Sequence, residues 1–143
     1  MPLIEWLGLF HPPMVHFPIA LIVAAAVAEF LLIFTGRTLF DSACRYCLWF
    51  GVIGGCVAAM LGWFAGDFKW TDSDQLMTTH RWLGTATTVW ALISLALREK
   101  DSAALQPLLR IFFRIALFAG AMLVIATGMF GAVYVRGIDY YAW

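Results

Sequence analysis

Charge is scarce in this sequence. Of its 143 residues only 13% are Asp, Glu, Lys or Arg, nine acidic against nine basic, while 63% are hydrophobic. A soluble domain carries about a quarter charged residues, so this composition excludes one and points to an integral membrane protein. Zero net charge without a basic cluster leaves no electrostatic footprint for nucleic acid. Cysteine is also sparse. Cys44, Cys47 and Cys56 share one apolar segment, and the lack of a CxxCH motif excludes covalent c-type haem attachment. The spacing of Cys44 and Cys47 has the form of a metal or redox pair, although small thiols also pack as apolar residues in membrane helices. No basic residue precedes Arg37, so the N-terminal stretch reads as a retained helix rather than a cleavable signal peptide.

What is abundant is long apolar sequence. A spanning helix needs about 20 mainly apolar residues, and four windows offer this: Met14 to Phe34, Ala43 to Ala65, Trp82 to Leu97 and Ile111 to Val135. The third window extends backwards, because Asp72 followed by Gln75 has the form of a capping box. Residues 37–42 make a tight connection, 67–79 a longer polar one, and 98–107 a charged one ending in a proline where a helix can restart. No internal repeat or low-complexity tract stands out. The expected fold is all-α, an integral membrane four-helix bundle forming a single domain over residues 1–143.

Arg37, Arg45, Arg98, Lys100, Arg110 and Arg114 flank the first and third connections, whereas Lys69, Arg81 and Arg136 flank the second and the C-terminus. The positive-inside rule then puts both termini outside. Most tryptophans (Trp6, Trp49, Trp63, Trp70, Trp82 and Trp143) sit near window ends as an aromatic belt would, with Trp90 deeper.

Histidine is as rare as cysteine, with only three residues. His11 and His16 open the first window in the stretch HPPMVHFPIAL, and His80 opens the third, so all three converge on one side of the membrane. In a helix His16 lies about 7.5 Å deeper than His11 and roughly 140° around from it. Pro18 withholds an N–H from the Met14 carbonyl and predicts a kinked, polar backbone nearby.

Two imidazoles on separate helices at similar depth suit a b-type haem, whose iron takes one ring nitrogen from each side. His16 and His80 are the expected axial pair. His11 has no necessary role in that pair and could bond a quinone or a propionate, or replace His16 as ligand. Small residues near the pair, Ala20, Gly84, Gly128 and Gly131 among them, would leave space for a macrocycle, and Arg81 and Arg136 could meet the haem propionates. The same glycines would also serve plain helix packing, and three histidines could equally bind copper or zinc. Glu29 interrupts the first window. It either carries a proton within the membrane or reaches Arg37, Arg45 or water at the inner surface.

The stretches HPPMVHFPIAL, AGDF at 65–68, HRWLG at 80–84 and TGMFGAVYVRGIDY at 127–140 resemble the bacterial membrane family known as domain of unknown function 2231. The resemblance covers essentially the whole chain and implies a four-helix inner-membrane fold without a settled activity. Ala132 stands where that family usually has the second glycine of a pair, and Glu29 where it commonly has aspartate; neither touches the histidines. The reading from residues is a cytochrome b-like electron-transfer protein, a carrier rather than an enzyme, since nothing resembles a nucleophile with a base or a phosphate loop. Implied partners are the lipid bilayer, a quinone, neighbouring redox subunits and a periplasmic electron carrier. The alternatives are an accessory subunit of a larger redox or photosynthetic complex and a transition-metal protein using His16 and His80.

Overall fold

Each apolar window becomes one long helix, and the ends are set by local chemistry. The computed structural model describes residues 3–100, 107–137 and 139. A short α1 (Leu3–Gly8) precedes α2 (His11–Thr35), α3 (Thr38–Ala65), α4 (Gln75–Lys100) and α5 (Pro107–Arg136). The expected count of four is therefore corrected to five helices among the described residues. The extra one is six residues long, too short for a periodic signal in the sequence.

The stops are legible. Gly36 ends α2 at φ 64°, with its N–H on the Leu32 carbonyl at 2.9 Å, a left-handed conformation that favours glycine. The cap of α4 differs from the expected capping box. Asp74, not Asp72, accepts the Leu76 N–H at 2.8 Å, and Asp72 instead binds Arg81. α5 restarts at Pro107 as expected, while the connection 101–106 and Trp143 lie outside the described residues. α2 runs on through Pro18, whose buried ring packs against Gly54 of α3.

Three helices, α2, α3 and α5, are long and apolar enough to cross a membrane. α4 is as long but carries threonines. Their hydroxyls return to backbone carbonyls one turn back, Thr85 to Arg81, Thr87 to Leu83 and Thr88 to Gly84, which lowers the cost of burying them.

The helices pair as two antiparallel hairpins, α2 with α3 and α4 with α5, and the hairpins meet along two seams, α3 against α4 and α2 against α5. Small residues set the approach. A Cβ on Gly51 would stand 2.9 Å from Ile22, and one on Gly120 would stand 3.1 Å from Trp90, so both positions bring helices together where a larger residue would not fit. The apolar core, with Ile22, Ala25, Leu48, Phe113 and Leu117, fills the half of the bundle away from the histidines.

That far end is closed by charge. Arg114 of α5 donates to Glu29 of α2 at 2.8 Å, Arg45 of α3 makes a two-pronged pair with Glu99 of α4 at 2.8 and 2.9 Å, and Arg98 of α4 meets Asp41 of α3 at 2.6 Å. Glu29 is 1% exposed, so its partner is the buried-facing Arg114 rather than the expected Arg37, Arg45 or water. All these pairs cross the seams. Arg114→Gln would strand the Glu29 carboxylate and should cost on the order of 3 kcal/mol, with Glu29→Gln costing less because Arg114 keeps some water. In detergent, the thermal unfolding of the double variant should show a smaller loss than the two single losses added together. Strict additivity would contradict the pairing.

Candidate functional site

The three histidines share one hydrogen-bonding habit. His11 Nδ1 lies 2.8 Å from the Ala58 carbonyl of α3, His80 Nδ1 lies 3.1 Å from the Thr127 carbonyl of α5, and His16 Nδ1 lies 2.9 Å from the Pro12 carbonyl one turn back. A carbonyl oxygen can only accept, so each Nδ1 carries the proton. In the neutral ring Nε2 is then left as the lone-pair nitrogen.

His11 opens α2 and His80 lies in the second turn of α4, on diagonal helices of different hairpins. Their rings meet edge to face with centroids 6.0 Å apart and planes inclined at 70°. The structure thus brings His80 together with His11. His16 is turned to the exposed side of α2, as the roughly 140° offset between His11 and His16 requires once His11 faces inward. The expected pairing of His16 with His80 is not the one the fold makes.

Of the expected small residues Gly131 serves a ring rather than an open space, and Gly62 does the same for His11. A Cβ on Gly62 would stand 2.9 Å from His11 Cε1, and one on Gly131 would stand 2.8 Å from His80 Cε1. Gly62 and Gly131 are therefore the cradles in which the imidazoles lie. Gly128 gives way to Ile19 and Gly84 faces the Thr127 methyl, while Ala20 lies on the exposed side of α2. Arg81, expected at a propionate, is buried and turned into the 66–74 connection, where it binds Asp72 at 2.8 Å and the Lys69 carbonyl and stacks over Trp63. Arg136 lies on the exposed surface at the end of α5. Thr87 and Thr127 join hydroxyls at 3.0 Å between α4 and α5, at the residue whose carbonyl holds the His80 ring. Among the described residues no group of three or more His, Cys, Asp or Glu gathers as a metal site, and Cys44 and Cys47 are unbridged.

A repeat that the sequence reading missed explains this layout. The His11–Ala58 and His80–Thr127 bonds span the same 47 residues. Laying His80 on His11 brings Arg114 onto Arg45, Leu117 onto Leu48, Gly120 onto Gly51 and Gly131 onto Gly62. Each hairpin holds its histidine on a carbonyl and a glycine of its own second helix, and each sends an arginine to a glutamate of the other hairpin. The signal was present in the spacing from histidine to arginine to glycine. It is diluted because most remaining positions need only be apolar, which leaves little identity to detect.

A helical membrane protein with two quasi-equivalent hairpins and a histidine pair at one end of their seam is the class this fold and site define. Residues 9–139 match the family model described as predicted membrane protein, domain of unknown function 2231, and the chain belongs to that family. No curated protein and no solved structure matches it.

The shared habit of the rings has a direct readout. Nitrogen-15 spectra of histidine-labelled protein at neutral pH should show all three rings in the Nδ1–H form. Gly62→Ala should move the His11 ring off Ala58 and change its signals alone. Nε2–H rings in the unaltered protein would contradict the assignment.

Proposed function

We propose that the chain is a membrane b-type cytochrome that carries electrons, with haem b held between His11 and His80. The observation that carries this reading is the close, edge-to-face pair of rings, each anchored through Nδ1 on a backbone carbonyl and each left with Nε2 as its lone-pair nitrogen. Metal-ligating histidines generally donate their other ring N–H to such a carbonyl, which fixes tautomer and orientation. The ring centroids lie 6.0 Å apart, so His11 and His80 would be the two residues to hold one metal centre at this end of the bundle.

Bound haem would supply one-electron chemistry at this end of the bundle. The protein's own residues do the rest. The Ala58 and Thr127 carbonyls orient the ligand rings, Gly62 and Gly131 let them lie flat against the neighbouring helices, and the Thr87–Thr127 pair stiffens the support of His80. The helix ends that carry the histidines, the N-termini of α2 and α4, share one end of the bundle with the C-termini of α3 and α5. Six of the nine basic residues gather at the other end, which supports a site toward the periplasm with α4 as the fourth span of an inner-membrane protein. This reading takes His11 in place of His16 as first ligand. Partners would be a quinol or a neighbouring redox subunit and a periplasmic carrier.

Protein purified from membranes grown with haem supply should show a Soret band and sharp α bands on reduction. His11→Ala and His80→Ala should each lose the haem or its low-spin spectrum, and His16→Ala should keep it. A colourless protein would overturn the reading, and so would an unchanged spectrum in the His11 or His80 variant.

A further inference from the structure

Buried charge is rare in this bundle. Among the described residues Glu29, Arg81 and Arg98 are the buried charged side chains, and only Arg81 lies at the histidine end. Glu29 and Arg98 belong to the ion pairs of the far end. Asp67 and Lys69, paired on the outer connection, keep 54% and 61% of their side chains exposed, so water and salt screen them.

The backbone decides where the Arg81 charge sits. Gly66 lies one turn beyond Gly62 on the same face of α3, and where Gly62 receives the His11 ring, Gly66 receives the Arg81 guanidinium. A Cβ at position 66 would overlap that group. Imidazole and guanidinium are therefore neighbours along α3, about 5–6 Å apart in height. With 4% of its side chain exposed, Arg81 is enclosed by the Lys69 carbonyl, the Asp72 carboxylate at 2.8 Å and the Trp63 ring, whose centroid is 5.6 Å away. Asp72 keeps 29% of its side chain exposed, so water weakens the negative partner more than the positive one. The repeat supplies no second copy of this charge, because laying His80 on His11 sets Arg81 on Pro12 and Val135 on Gly66.

We propose that Arg81 sets the reduction potential of the centre held by His11 and His80, its buried charge stabilising the added electron and Asp72 moderating that effect. The inference rests on the haem reading above. Reduction adds one negative charge to the centre, and a guanidinium, which keeps its charge in any protein setting, favours the reduced form when poorly screened.

Redox titration of the haem-bearing full chain, followed at the α band, tests this. At the potential where the unaltered protein is half reduced, Arg81→Gln should show a reduced-to-oxidised ratio about tenfold lower, the effect of one unit charge roughly 10 Å away at an effective dielectric of about 20. Asp72→Asn should show a higher ratio, and Arg81→Lys should restore most of what Arg81→Gln loses. Opposite signs separate a charge effect from a loosened connection, which would admit water in either variant and move both ratios the same way. If Arg81→Gln loses its haem, the Asp72→Asn ratio decides alone: a rise supports the inference, and a fall or no change overturns it. Haem-bearing variants whose ratios move together or stay put overturn the inference while the haem reading stands. An unaltered chain without haem overturns that reading and this inference with it.

Discussion

Everything at the histidine end follows from one constraint: a half-buried imidazole packed between helices needs an acceptor within the protein for its ring N–H. A helical carbonyl already holding its own N–H has a second lone pair to offer, and Ala58 and Thr127 offer theirs to His11 and His80. Once that bond is made the tautomer, the ring plane and the direction of the remaining lone pair are all set by backbone, the least mobile part of the bundle. The glycines follow from it, since a ring cannot reach a neighbouring helix's carbonyl if a Cβ stands in the way. Gly62 and Gly131 are thus required by the histidines rather than by general closeness of packing.

The two ends of the bundle divide the work. Away from the histidines, the apolar core and three cross-seam ion pairs lock the hairpins together, with Glu29 and Cys44 fully enclosed. Toward the histidines, packing gives way to hydroxyls, indole N–H groups and the ring pair itself, among them Trp63 on Thr85 and Thr87 on Thr127. A bundle that is firm at one end and polar at the other is suited to receiving a group between its halves at the polar end. The connection between α3 and α4 is also held in place. Asp67 and Phe68 both take positive φ, and Arg81, filling the space that glycine leaves at position 66, ties the loop down through Asp72.

The composition and the apolar windows made the all-α membrane fold legible, because hydropathy over 20 residues is a strong signal. So was the convergence of the three histidines on one end. Which histidine faces inward was not, because a 140° offset allows either ring to be the inner one and the choice depends on which carbonyl lies opposite. Glu29 was visible as an anomaly, yet its partner Arg114 is 85 residues away and no local pattern points to it. Arg81 looked like a surface cation next to a site; only the folded loop shows it committed to Asp72. The repeat escaped notice for a related reason, since its matching residues are few and separated by positions where any apolar side chain serves.

The claim that His11 and His80 present their lone pairs to a single centre is tested most directly by electron paramagnetic resonance of the oxidised, haem-bearing protein. Ring planes inclined at 70° predict one strongly anisotropic low-spin signal, the signature of two imidazoles set nearly crosswise on one iron. A high-spin signal, from an iron with a single histidine or none, would contradict the account.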